Sequence, residues 1–192
     1  MTETDFTQAI LEAVERRDGA AFKNIVGGYA SFCGKNDQSE EPFPDATFGF
    51  LTEILTQDRV LELEGAHMLF SLFQFEWSRL TSWQRTQLLA VLSNAYRKTM
   101  TSRSRFEICE LLGEYYANSE AFTVLKHFGS IEPEECRVFV PHALEHLIRT
   151  TEDLKIHTEA IEYLRILLQD KSERVRAEAE YAVKRIKNGP SH

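Results

Sequence analysis

The segment His142-Ala-Leu-Glu-His146 places two imidazoles four residues apart, with the carboxylate of Glu145 beside them in the sequence. Side chains at i and i+4 lie on one face of an α-helix, so both imidazoles can reach one metal ion. The Glu is misplaced for the HExxH pattern, and no nearby cluster of Cys or Asp supplies a clear third ligand. A solvated or hydrogen-bonded helix face is therefore favoured, and we predict no metal site and no cofactor.

No other segment carries the pattern of a catalytic site. The sequence contains no GxSxG, no P-loop and no GxGxxG. Three further histidines sit beside helix-core positions or at a helix edge, with no local Ser or Cys nucleophile: His67, His127 and His157. The cysteines are odd in number and widely spaced, which favours buried thiols in a reducing cytoplasm: Cys33, Cys109 and Cys136. We predict no catalytic residues.

The densest aromatic run of the chain lies in its middle third and consists of Phe70, Phe73, Phe75, Trp77 and Trp83. Most of this run is expected to be core, and Trp83 is placed on the inward face of its helix. Phe75 and Trp77 fall off the main apolar stripe, so they are the aromatic side chains expected at the surface. Exposed aromatic side chains often anchor protein interfaces.

Charged residues complete the set of expected partner contacts. A basic concentration around one inter-helix turn could bind a phosphate or an acidic peptide, although solvation and helix-dipole complementarity are the commoner reasons for such a pattern: Arg97, Lys98, Arg103 and Arg105. The longest loop, residues 33–45, is either a mobile connection or part of a binding edge. The predicted partner-binding residues are Asp37, Glu40, Glu41, Phe75, Trp77, Arg97, Arg103 and Arg105.

Apolar spacing predicts an all-α fold with ten helices in five antiparallel pairs. The predicted helices cover about residues 4–17, 19–32, 45–57, 59–77, 82–98, 103–117, 119–128, 133–149, 152–169 and 173–187. Thr81 and Gln84 form a predicted capping box, Pro141 is expected to kink or restart the eighth helix, and Asn118 is expected in a left-handed conformation. A unit of about 40 residues that contains two helices is typical of helical repeat proteins.

The segment from Asp170 to Ile186 is the most regular helix of the chain. Asp170, the pair Val175-Arg176 and the spaced Ala179 and Ala182 resemble the second helix of a HEAT repeat. The resemblance covers only about residues 152–187. It implies a right-handed, curved α-α superhelix of about five helix pairs, HEAT- or armadillo-like, with a concave face. We predict one α-solenoid domain over residues 1–188, with 189–192 as a frayed tail.

The net charge of −8 is unevenly distributed, since the first 58 residues hold 11 acidic and only 4 basic side chains. Nucleic acids are bound mainly through Lys and Arg, so we expect no nucleic-acid partner. A basic protein partner, or simple solubility, is the better explanation of the acidic N-terminal third. No apolar run approaches the roughly 18 residues that a membrane span requires. The N-terminus lacks the basic and apolar regions of a signal peptide, so we expect a cytoplasmic protein with no membrane association.

These observations favour a non-enzymatic, protein-binding α-solenoid. A narrower form is a bacterial immunity-type protein that neutralises a partner toxin, because small acidic helical proteins of that kind resemble this chain. A scaffold or regulatory subunit of a larger complex stays open. A HEAT-like enzyme or lyase accessory also stays open, because the resemblance extends to DNA-repair glycosylases and bilin lyases. The glycosylase alternative needs a basic, aromatic concave face, which the charge balance disfavours.

Overall fold

The computed structural model describes residues 3–35, 41–97 and 99–188. Within these ranges every regular element is helical and no residue forms a strand, which confirms the all-α fold class. The α-helices are α1 Glu3–Glu15, α2 Gly19–Lys35, α3 Asp45–Ile54, α4 Asp58–Leu61, α5 His67–Phe75, α6 Ser82–Ala95, α7 Ser102–Glu110, α8 Ser119–Phe128, α9 Glu134–Arg137, α10 Val140–Thr150, α11 Leu154–Leu167 and α12 Glu173–Asn188. A 3-10 turn at Trp77–Arg79 and a π-helix at Leu111–Tyr116 complete the elements.

The chain forms two compact units, Met1–Ser104 and Arg105–His192, and the boundary between them falls within α7. In the first unit, α1 packs against α2 and α3, α2 packs against α5, and α3 packs against α6. In the second unit, α10 is central and packs against α8, α11, α12 and the π-helix. The single solenoid domain over residues 1–188 stays a prediction.

Aromatic side chains join the helices of the first unit. Phe6 of α1 stacks on Tyr29 of α2, with 4.1 Å between the ring centroids. Phe48 of α3 meets Phe73 of α5 edge to face at 6.0 Å. All four side chains are buried, and burying a large apolar side chain contributes about 1.5–3 kcal/mol. The second contact holds α5, which carries the exposed Phe75 described below.

Local capping signals operate as predicted at several helix ends. Thr81 and Gln84 form a complete capping box at the start of α6. Asp18 accepts a hydrogen bond from the amide of Ala21 at 2.9 Å and so caps α2. Pro141 lies in the first turn of α10, which begins after the short α9 has ended. Proline is tolerated there because the first-turn N–H groups have no intrahelical acceptor.

The predicted helix over residues 59–77 is wrong, because the chain divides it into α4, α5 and the 3-10 turn. Gly65 adopts a left-handed conformation with φ +98, and a Cβ added there would lie 2.7 Å from the Cβ of Lys23. Only glycine meets both conditions without strain. Close packing against α2 therefore requires the break between α4 and α5.

The predicted left-handed position at Asn118 is also wrong. Ala117 takes that conformation, with φ 44, and Asn118 instead accepts a hydrogen bond from the amide of Ala121 at 2.9 Å. Asn118 is therefore the N-cap of α8. Asparagine suits either role, so the sequence alone could not separate them.

The expected loop over residues 33–45 begins later than predicted, because α2 continues to Lys35. Residues 36–40 lie outside the described part of the chain, as do Lys98 and the expected tail at 189–192. Among the helices that the structure describes, none has the length and apolar character needed to cross a membrane. The buried thiols expected of Cys109 and Cys136 are confirmed, whereas the side chain of Cys33 is not among those described.

Two arginines of the second unit make the same backbone contact at positions 39 residues apart in the sequence. Arg137 donates from Nη1 to the carbonyl oxygen of Ile131 at 3.1 Å. Arg176 donates from Nη1 to the carbonyl oxygen of Asp170 at 2.7 Å. In each case the guanidinium reaches back six residues to the turn that precedes its helix. The two turns therefore share one backbone contact, although only the first contains a cis peptide bond, between Glu132 and Pro133.

Candidate functional site

The α5–α6 corner, which we define as residues 75–85, carries exposed aromatic side chains. Phe75 is 52% exposed and Trp83 is 60% exposed. Exposure of Phe75 agrees with the prediction, whereas the inward position predicted for Trp83 is wrong. Trp83 lies in the first turn of α6, and its ring meets Phe48 at 5.9 Å while the rest of it faces solvent. Trp77, predicted to be exposed, is only partly so.

An arginine holds Trp77 in place within the α5–α6 corner. The guanidinium carbon of Arg85 lies 4.8 Å from the ring centroid of Trp77, and Arg85 Nη2 donates to the Trp77 carbonyl oxygen at 2.9 Å. A cation over an aromatic face is attracted by the ring quadrupole. The corner therefore presents a positioned aromatic and cationic pair beside its two more exposed rings.

Glu41, predicted from its loop position, lies next to the same corner. Arg79 donates from Nε to the carbonyl oxygen of Glu41 at 3.0 Å, and the amide of Phe43 donates to the Arg79 carbonyl oxygen at 2.9 Å. These bonds fasten the end of the predicted loop to the Trp77–Arg79 turn. Asp37 and Glu40, also predicted as partner-binding residues, lie outside the described residues.

The predicted basic surface is not assembled as expected. Arg105 is only 4% exposed, so it cannot contribute to a surface that binds phosphate or an acidic peptide. Arg97 forms a salt bridge with Asp58, which neutralises part of its charge. Arg103 is exposed, and Lys98 is not among the described residues. Burial of Arg105 was missed because the three residues that precede it, 102–104, are all polar.

A cluster of one carboxylate and two imidazoles lies between the α7–π-helix segment and α10. Glu110 Oε1 contacts His142 Nε2 and lies 3.9 Å from His146 Nε2. One ligating atom from each of the three residues lies within 4.8 Å of the others. His146 Nδ1 lies 3.8 Å from Glu114 Oε2. The structure therefore brings to the two histidines a carboxylate that could serve as a third ligand.

The missed partner is distant in sequence, since Glu110 precedes His142 by 32 residues. The sequence nonetheless contains a pattern that hints at this pairing. Glu110 and Glu114 have the same i, i+4 spacing as His142 and His146. Two such pairs on facing helices place four polar side chains together. Spacing alone could not show that these two helices are neighbours.

Close backbone contact and ring stacking position the cluster. A Cβ added at Gly113 would lie 2.3 Å from the carbonyl oxygen of Ala143, so the π-helix and α10 touch through their backbones. Thr150 donates from Oγ1 to the carbonyl oxygen of Gly113 at 3.1 Å. Phe106 stacks on the ring of His142 with 5.2 Å between centroids and 22° between planes. The stacking restricts rotation of that imidazole.

The environment favours an ionised carboxylate at Glu110. Burial by itself raises the pKa of Glu110, but the hydrogen bond from His142 and the charges of His142 and His146 outweigh it, so the pKa lies below its ordinary value. Burial and the charges of neighbouring glutamates raise the pKa of the Tyr115 phenol. The cluster thus offers an anionic oxygen and imidazole nitrogens beside a neutral phenol.

Glu145 does not join the two histidines that flank it in the sequence. Its side chain is fully buried, and Oε1 lies 2.8 Å from Arg149 Nη1 and 3.2 Å from Arg185 Nε. This carboxylate lies beside the imidazoles only in the sequence, whereas in the structure it contacts the arginines of α10 and α12. Glu145 therefore has a structural environment that is separate from the cluster.

Comparisons of this chain with protein-family models, curated proteins and solved structures find no match. The resemblance to HEAT repeats accordingly stays a prediction. Function must be inferred from the α5–α6 corner, from the Glu110–His142–His146 cluster and from the charge distribution.

Proposed function

We propose that this chain is a protein-binding helical module whose partner contacts the α5–α6 corner. The observation that carries the proposal is the exposure of two large aromatic side chains, Phe75 and Trp83, within that corner. Their contact with water costs free energy that an apolar partner surface would recover. Arg85 against Trp77 adds to the corner a residue pair of the kind enriched at the energetic centres of interfaces.

The helix pairs are proposed to stack as a HEAT-like α-α superhelix. Two contacts of the second unit support this arrangement. The backbone contact of Arg137 is repeated by Arg176, and Arg137 also donates through Nε and Nη2 to the two carboxylate oxygens of Asp170, at 3.0 Å each. The second contact links α9 to the turn that precedes α12, as expected when units that are distant in sequence stack side by side.

The partner is proposed to be basic. The first 58 residues hold 11 acidic and 4 basic side chains, and Glu41 lies beside the α5–α6 corner. Complementary charge increases the association rate and disfavours partners of the same sign. The narrower form of the proposal is an immunity-type protein that binds and neutralises a basic toxin. Its function would be steric occlusion of the toxin, with no reaction at the interface.

The test compares three baits in the same lysate of the source organism. These are the wild-type chain, the double variant Phe75→Ala with Trp83→Ala, and Tyr181→Ala as the matched control. Tyr181 is an exposed aromatic residue of α12, away from the α5–α6 corner in sequence. A captured protein is then purified and its Kd is measured for each bait. Loss of a hot-spot pair is expected to weaken binding by about 30-fold or more.

The outcomes separate the alternatives. One small basic partner that binds wild type and Tyr181→Ala, but not the double variant, supports the immunity-type form. Components of a larger complex with the same pattern support a scaffold or regulatory subunit. Equal binding by the double variant contradicts a role for the α5–α6 corner. Capture of no partner by the wild-type chain contradicts the proposed function itself.

A further inference from the structure

The donor atoms of the Glu110–His142–His146 cluster suit a divalent first-row transition metal. Imidazole nitrogen is a preferred ligand of Zn²⁺, Fe²⁺, Co²⁺ and Ni²⁺, whereas Mg²⁺ and Ca²⁺ prefer sites made wholly of oxygen. Two His and one Glu occur together as the protein ligands of zinc sites that keep a fourth position open. The donor set therefore selects the class of ion, independently of the proposed protein-binding function.

The geometry lies close to that of a coordination sphere. With metal–ligand distances of about 2.0–2.2 Å, donor atoms around a tetrahedral ion lie roughly 3.3 Å apart. Here Glu110 Oε1 contacts His142 Nε2 and lies 3.9 Å from His146 Nε2, and all three donors lie within 4.8 Å of one another. Small side-chain rotations bring them around one ion, which would replace the direct contact between Glu110 and His142.

Packing around Glu110, His142 and His146 holds their donor atoms close together. The three side chains are partly buried on helices that touch through Gly113 and Ala143. Stacking on Phe106 restricts the ring of His142. A carboxylate near the second nitrogen of a ligating imidazole orients the ring and increases its basicity. Glu114 Oε2, 3.8 Å from His146 Nδ1, is placed for that role.

We propose that Glu110, His142 and His146 bind a divalent transition metal ion and that Glu114 positions His146. The three donors leave coordination positions open to water or to another small oxygen or nitrogen ligand. The ion would connect α7 to α10 across the contact of Gly113 with Ala143.

The test measures Zn²⁺ binding to the tag-free full chain by competition with a chromogenic chelator. The wild-type chain is expected to bind one ion per molecule, with no competition from millimolar Mg²⁺. His146→Gln, which keeps a polar side chain of similar size, is expected to weaken binding by about 100-fold or more, since second-shell losses alone cost 10–100-fold. Glu114→Gln is expected to weaken it by about 10–100-fold.

His127→Ala is the matched control, because His127 is an exposed histidine of α8 in the same unit and lies outside the cluster. Its affinity for Zn²⁺ should equal that of wild type, and circular dichroism should show every variant folded. If His146→Gln is not folded, Glu110→Gln takes its place with the same expected loss. Absence of Zn²⁺ binding to wild type, or equal binding by wild type and the ligand variants, overturns the proposal.

Discussion

Gly113 and Ala143 meet without a side chain between them: a Cβ at Gly113 would lie 2.3 Å from the Ala143 carbonyl oxygen and 2.9 Å from its carbonyl carbon. The contact lies where the π-helix crosses α10, with Glu110 and Glu114 on one helix and His142 and His146 on the other. Only glycine at position 113 allows the two helix backbones to come this close. It places side chains from two distant parts of the sequence within reach of one another.

Gly113→Ala is expected to reduce the free energy of unfolding by about 1–3 kcal/mol or more, because the added methyl group must displace backbone. Gly28→Ala is the control, since a Cβ at Gly28 meets no atom within 4 Å. That change within α2 should stabilise by up to about 1 kcal/mol through helix propensity. Urea unfolding followed by circular dichroism measures both. Equal effects of the two substitutions would show that the close contact is unimportant.

Stability is expected to fall in acid through Asp170. Burial raises the pKa of Asp170, but hydrogen bonds from Arg137 and from the amide of Ser172 outweigh it and lower the pKa in the folded chain. A carboxyl with a depressed folded pKa stabilises above its unfolded pKa of about 3.9, and this contribution disappears as the pH falls through the folded value. Urea unfolding between pH 2 and pH 6 should show the loss.

Asp170→Asn should lower stability at neutral pH and reduce this acid dependence. Glu132 provides an internal reference, because its pKa is also lowered, by hydrogen bonds from Lys171 and Arg137, and it is kept in the variant. The difference between the two pH profiles therefore reports the loss of Asp170 together with any change at Glu132, which shares Arg137 as a partner. Identical pH dependence in the variant and the wild type would rule out Asp170 as the source.

Two arginines that both pair with acidic residues should differ greatly in their importance. The side chain of Arg137 is 4% exposed, whereas that of Arg174 is 63% exposed in its pair with Glu134. Arg137→Leu removes the two hydrogen bonds that Arg137 donates to the carboxylate of Asp170 and should cost about 3–5 kcal/mol. Arg174→Leu should cost less than about 1 kcal/mol. Comparable losses in urea unfolding would contradict the role assigned to burial.

Glu145 predicts a non-additive double-mutant cycle. Its buried Oε1 is shared by Arg149 and Arg185, so either arginine alone can compensate the charge. Each single change to Ala should have a small effect, while the double variant leaves a buried charge unpaired and should cost about 3–5 kcal/mol. The interaction energy is read from unfolding of all four chains of the cycle. Strict additivity would mean that Glu145 does not couple them.

Local chemistry in the sequence predicted the helical class and several helix ends. Thr81 caps α6 through Gln84, and Pro141 begins α10, because each signal acts over a few neighbouring residues. Where one residue type suits two structural roles, the prediction from sequence was wrong, as at Asn118, which is an N-cap and not a left-handed residue. The helix break at Gly65 was not predicted either, because it depends on the close approach of Lys23 from another helix.

Tertiary structure alone decided which side chains meet. His142 and His146 were recognisable as a pair, but their carboxylate partner, Glu110, comes from 32 residues earlier and reaches them only because Gly113 lets two helices touch. Trp83 is exposed and Arg105 is buried, and both are the reverse of what their positions in the sequence predicted. Spacing along a helix determines which residues share a face, whereas the packing of helices determines what that face meets.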